Sequence, residues 1–284
     1  MKKYSIIDSH VHLWNPDILS YPWLEGNSLL NRPYLLEDYI SACGKINVEK
    51  IVFVQAECDP SQYLKEVQFV TNLAHHNSKI SAIVSWAPLE KGEEVKAELD
   101  KLFQNKLVKG VRRIIQYEKD PEFCLQHNFV KGVQCLYDYD FSFDLCVSNL
   151  QLGNAVKLVE QCTHIQLILD HIGKPDIKNN LFEPWKTEIK KLSQMPNVYC
   201  KISGLVTEAD CKTWEKEDLL PYIYHTLECF GFDRVLYGGD WPVVLLASDY
   251  NRWFNTLVDI VNMFSEDEIH KLFYDNAAKF YKLF

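Results

Sequence analysis

Eight short apolar runs recur along the chain, and this recurrence constrains the fold more than any other feature. They occupy residues 4–9 (YSIIDS), 50–56 (KIVFVQA), 80–86 (ISAIVSW), 108–114 (VKGVRRI), 141–147 (FSFDLCV), 165–170 (IQLILD), 197–203 (NVYCKIS) and 234–239 (RVLYGG). The runs are nearly continuous rather than alternating, as in strands buried on both faces of a parallel sheet. Helical spacing fills most of the gaps. Residues 60–77 carry Tyr63, Leu64, Val67, Val70, Leu73 and Ala74 on one face, and 151–162 and 183–195 behave likewise. Ser61 is the expected N-cap of the first of these. The C-terminal 265–284 reads as two short helices with Asp275 and Asn276 as caps between them. Eight strands alternating with helices over 284 residues predict an α/β fold, a single (β/α)8 TIM barrel domain spanning 1–284. A doubly wound open sheet is the rival. No glycine-rich turn follows the first run, so no nucleotide cofactor is expected.

Charge and cysteine content narrow the function. The formal net charge is −9 and no Lys/Arg-rich run occurs, which argues against nucleic acid and anionic membranes as partners. The nine cysteines are scattered and contain no C-x-x-C pair, a pattern expected of reduced core thiols in the cytoplasm. No run approaches the roughly 18 apolar residues of a membrane span.

In a barrel of this kind reactive groups come from the C-terminal strand ends. The first strand ends in DSHVHLW, and residues two apart on a strand share a face, so His10 and His12 aim the same way. Asp8 has the same parity and is expected to orient them. Paired imidazoles suit zinc or another divalent ion, although an isolated H-x-H is a weak signal. Other strand ends add Gln55 and Glu57, Arg112, Arg113 and Gln116, Asp170, His171 and Lys174, Lys201 and Ser203, then Asp240 and Trp241. So many polar groups directly after apolar runs are better explained by a pocket than by solvent. Of the adjacent arginines, one at most should face that pocket. The other histidines fall in or beside helices and read as surface or structural groups. Residues 13–34, with three prolines and two tryptophans, form a long loop. Such a loop either lies over the mouth or packs as ordinary surface.

The strings DSHVHLW, LDHIGKP and YGGDWP, with GVRRI, FDLCV, KISGL and NAAKFYKL, resemble the amidohydrolase superfamily. The resemblance is closest to the branch with sugar-lactone and pyrone-dicarboxylate lactonases, and it runs from residue 6 to about 282. It implies a barrel that hydrolyses a cyclic ester, most readily a sugar-derived lactone. It matches His10 and His12 to the family's first-strand pair, His171 to its sixth-strand histidine and Asp240 to its water-activating base. The fourth strand offers arginines where many relatives bridge two metals, and the fifth has no histidine, so a two-metal centre is not expected. His10, His12 and Asp240, with Glu57 or His171 as a fourth ligand, leave one divalent ion, zinc first, and a metal-free site equally open. Arg113 or Arg112, Lys174, and the aromatics Trp14, Tyr117 and Trp241 are the expected substrate contacts; Trp86 reads more readily as core. The alternatives are a metal-dependent decarboxylase of an unsaturated or aromatic acid and a non-catalytic binding barrel. The missing fifth-strand histidine counts against the first, and the joint presence of His10, His12, His171 and Asp240 against the second. Barrels of this size can pair as homodimers through their outer helices.

Overall fold

A computed structural model describes residues 4–284. Eight parallel strands form one sheet in sequence order: β1 (Ser5–Val11), β2 (Asn47–Val54), β3 (Ile80–Ser85), β4 (Val108–Val111), β5 (Ser142–Leu145), β6 (Leu167–Leu169), β7 (Val198–Ile202) and β8 (Val235–Tyr237). The two edges meet. The His12 amide donates to the Trp241 carbonyl and the Asp240 amide to that of His10, both at 2.8 Å. The sheet thus closes nearly into the expected (β/α)8 barrel, which covers the exposed edges of an open sheet.

The helices alternate with the strands: α1 (Leu36–Cys43), α2 (Tyr63–His76), α3 (Lys96–Phe103), α4 (His127–Cys135), α5 (Leu152–Gln161), α6 (Trp185–Ser193), α7 (Leu205–Glu208), α8 (Lys216–Phe230), α9 (Tyr250–Val261), α10 (Glu266–His270) and α11 (Asn276–Phe280). Both strand faces are buried. Ile6, Phe53, Ile83, Phe143 and Leu169 pack outward in the layer shared with the helices. Ile7, Val52, Val54, Val84, Ile168 and Leu236 form a separate inner set, joined by Ala277 and Tyr281 of the C-terminal segment. Two apolar layers per strand explain the near-continuous runs.

Three local expectations are corrected. Asp59, not Ser61, caps the turn before α2: its side chain accepts from the Ser61 amide. No cap separates the last two helices. A π turn, Lys271–Asp275, joins α10 to α11, and the Asn276 side chain instead donates to the carbonyls of Phe232 and Val235. Asp8 does not orient the histidine rings. It pairs with Ile51 while Val11 pairs with Phe53, so three steps on β1 oppose two on β2. This bulge reverses the parity between Asp8 and His10. Asp8 faces the helices, accepting from the His10 and Gly239 amides and from Tyr39 and Tyr250. Burial raises its carboxyl to about 6 even so.

The nine cysteines are free thiols. Among the described residues, no helix is long and apolar enough to cross a membrane.

Candidate active site

A polar layer lies above the inner apolar set. Strands β4 to β7 place Arg112, Asp144, Asp170 and Lys201 inside the barrel, all buried. The Lys201 ammonium lies 2.5 Å from Asp144 Oδ2 and 3.0 Å from Asp170 Oδ1. Arg112 Nη1 lies 3.3 Å from Asp170 Oδ2, and Nη2 donates to the Gln55 carbonyl at 2.6 Å. Two cations facing two anions leave no net buried charge, a condition for tolerating such a cluster. Tyr281 donates to Asp144 from below at 2.8 Å.

Over this layer opens a cavity of about 270 Å³, lined by His12, Arg112, His171, Lys174 and Asp240 and walled by Trp23, Glu57, Gln116 and Tyr117. Several of these groups leave their strands in the left-handed region: Glu57 at φ +55°, His171 at +55°, Lys174 at +50° and Asp240 at +53°. Such conformations cost of order 1–3 kcal/mol each and persist only where the surroundings enforce them. At His171 the enforcement is visible. Ser203 Oγ lies 2.9 Å from its Nδ1, and a Cβ on Gly204 would sit 2.5 Å from the same atom. Only glycine at 204 leaves room for that ring, and its own φ of +67° suits glycine as well.

The charge states follow from burial. It lowers the His171 imidazole to about 4, so the ring is neutral at pH 7. Burial alone would raise Asp240, but His171, His12 and His10 around it hold the carboxyl below the usual range. The His12 Nδ1 must carry a proton, because it lies 2.7 Å from the Val54 carbonyl, which can only accept. With Nδ1 committed to Val54, the His12 Nε2 faces Asp240 Oδ1, 3.5 Å away. A ring nitrogen and a carboxylate oxygen at this spacing can share a cation between them. His10 Nε2 lies 3.8 Å from the same oxygen, and one ligand atom from each of the three residues falls within a 4.8 Å group. The donor set fits one divalent ion with an open side toward the cavity.

The cavity does not receive every expected residue. Trp14 is buried, edge-on to Tyr34, with its N–H donated to the Leu30 and Arg32 carbonyls. Trp241 is buried between Tyr34 and Tyr39. Neither lines the cavity: both lie past the ends of β1 and β8 and pack into the aromatic cluster around Tyr34. Arg113 also points away, to Glu90 and Glu118, while Arg112 faces in. Glu57 lines the cavity but belongs to no metal-competent group among the described residues; its carboxylate accepts from Gln55 Nε2 at 2.5 Å. Lys174 lines it while paired with Glu208 at 3.0 Å. Trp86 packs on Tyr63 instead.

Trp23 was not singled out in the sequence, yet it is the long loop's contribution to the wall, its N–H donated to the Ala56 carbonyl at 2.8 Å. Behind it Glu66 of α2 accepts from the Ala56 amide at 3.1 Å. Burial pushes Glu66 from about 4.5 up to about 8. The folded state thus holds this proton more tightly than the unfolded one. The associated stability is full below about pH 4.5 and is lost as pH rises through about 8. Glu66→Gln keeps an acceptor and removes the charge. Thermal unfolding should show the two proteins alike near pH 4.5, with the variant ahead by on the order of 4 kcal/mol at pH 9. Equal stability at both pH values would refute the assignment.

A family model described as amidohydrolase matches residues 7–283. The chain belongs to the amidohydrolase family. This amidohydrolase is 31% identical over 257 residues to an L-fucono-1,5-lactonase of Burkholderia multivorans, covering 87% of the chain and 85% of the relative. It is 27% identical to an L-rhamnono-gamma-lactonase of Scheffersomyces stipitis, over the whole of both chains. A crystal structure of a Burkholderia multivorans amidohydrolase with bound zinc superposes with a TM-score of 0.88 at 29% identity, covering 98% of this chain and 99% of that one.

Proposed function

We propose that this amidohydrolase opens a neutral, hydroxyl-rich sugar lactone to its hydroxy acid. The observation that carries the reading is the ionised Asp240 carboxylate beside the neutral His171 imidazole at the cavity floor, with the Arg112 guanidinium in the same wall. The lactonase names of the relatives support it. Asp240 accepts a proton from the attacking water as its oxygen bonds to the carbonyl carbon. Arg112 offers N–H groups to the carbonyl oxygen as negative charge builds there. The ring C–O bond then breaks, and the leaving alkoxide takes the proton from Asp240. His171, held by Ser203 Oγ, orients the water or the departing oxygen. Glu57, Gln116 and Lys174 face the substrate with hydrogen-bonding groups, and Trp23 and Tyr117 give it aromatic surface. The two cations in the wall are matched by Asp170 and Glu208, which favours a neutral substrate over a carboxylated one.

We assign the cation to zinc, held by His10, His12 and Asp240; when bound it supplies Lewis-acid polarisation of the carbonyl. The test is a panel of sugar lactones, a pyrone dicarboxylate and unsaturated or aromatic acids, read with a pH indicator and a carbon dioxide assay. Proton release from neutral sugar lactones is expected. Carbon dioxide release, or turnover of the dicarboxylate alone, would overturn the reading.

A further inference from the structure

The long loop after β1 is fastened at its middle to the segment that leads into α2. The Ser20 amide donates to Gln62 Oε1, and the Ser20 carbonyl accepts from the Asp59 amide, both at 2.8 Å. Trp23 Nε1 donates to the Ala56 carbonyl, also at 2.8 Å, where its ring joins the cavity wall. Residues 20–24 thus form a strap bonded at Ser20 and at Trp23. Tyr21 lies between those bonds, 5% exposed, and its hydroxyl is buried without an aligned partner. The carboxyl it faces is Glu66. Glu66 is 1% exposed and accepts from the amide of Ala56, the residue whose carbonyl Trp23 uses. The groups around this carboxyl do little for a negative charge. Tyr21 of the strap and Cys58 after β2 are neutral, and Glu57 is a like charge. Arg112, the cation that faces it from the end of β4, is already committed to Asp170 and the Gln55 carbonyl. A carboxyl in this setting stays beneath the strap comfortably only with its proton, whereas an ionised one calls for water.

We propose that Glu66 is a positioning residue for the substrate wall: in its neutral form it seats the strap through Tyr21 and Ala56, and its ionisation releases the strap and withdraws Trp23 from the cavity. Burial, the main cause, holds the carboxyl up to about 8, so the strap is seated at neutral pH. The seated form binds this proton more tightly than the lifted form, in which water reaches the carboxyl. Seating is therefore strongest at low pH and weakens as pH rises through about 8. The consequence for substrate rests on the lactone reading. Lifting the strap removes aromatic surface from the cavity, so KM rises, while kcat, set at Asp240 and His171, stays level.

The test is hydrogen exchange, read by NMR at the Ser20 and Asp59 amides and divided by the intrinsic rates. In the wild type their protection should fall by up to about tenfold for each pH unit above about 8. In Glu66→Gln, which keeps the acceptor for the Ala56 amide and loses the titrating proton, it should stay level. Gln62→Ala removes the Ser20 bond and leaves Glu66 in place. Its Asp59 amide should be less protected at every pH and keep the wild-type slope. Core amides such as that of Ile83, bonded to the Leu107 carbonyl, should stay far better protected, which separates strap lifting from global unfolding. In Gln62→Ala, where the strap is already loosened, KM for the best sugar lactone should rise about threefold or more from about pH 7 to about pH 9, with kcat nearly level. Strap amides without a pH slope in the wild type overturn the proposal, and so does a slope that survives in Glu66→Gln. A level KM beside a sloping exchange overturns its substrate half. The exchange result decides the seating without any substrate, so the strap and the lactone reading can fail separately.

Discussion

Asp240→Asn should lower kcat on the best lactone by about 10²–10⁴, the range a positioned general base supplies, while the fold persists. The substitution suits this site. Asp240 sits at φ +53°, where asparagine is tolerated far better than most residues. The backbone therefore keeps its turn, and the side chain keeps its shape and loses only its charge. KM should change little, because water activation matters in the transition state rather than in ground-state binding. Circular dichroism and thermal unfolding establish the fold, and initial rates give kcat. Near-wild-type turnover would remove Asp240 from the role of base and direct attention to His171.

Arg112→Met should damage stability and rate together. Arg112 is 3% exposed and serves Asp170, the Gln55 carbonyl and the cavity at once. Removing one partner from a buried ion cluster costs about 3–5 kcal/mol. Losing a donor to a developing oxyanion costs about 10²–10³ in kcat. The two losses separate through Arg112→Lys. Lysine restores a positive charge for Asp170 but lacks the fork that spans Gln55 and the cavity. Its Tm should recover much more than its kcat. Equal recovery of both, or no kinetic loss in Arg112→Met at all, would reduce Arg112 to a structural ion.

The barrel was legible because its cause is written in every strand. Burial on both faces demands apolar residues at consecutive positions, and all eight runs became strands. The outlines of α2, α5 and α6 followed from helical spacing in the same way. The floor of the site was legible for a related reason: His10, His12, His171 and Asp240 each follow an apolar run directly. What failed depended on geometry that periodicity does not encode. Asp8 was misplaced by one inserted residue in β1. Arg112 and Arg113 could not be told apart without the register of β4. Trp14 and Trp23 lie in the same loop with similar surroundings in sequence, and only the folded contacts separate them: Trp23 bonds Ala56 at the cavity wall, Trp14 bonds Leu30 and Arg32 away from it. The Asp144–Lys201–Asp170 cluster joins three strands far apart in the chain, so no local signal could announce it.

The bond from Tyr281 to Asp144 has a consequence for biosynthesis. Tyr281 follows α11 and reaches the floor of the polar layer from beneath. Until those residues are made, Asp144 lacks the hydroxyl that donates to it from beneath. A nascent chain can pair all eight strands before its charged floor gains this last partner. Completion of the buried charge layer should therefore follow closure of the sheet rather than accompany it.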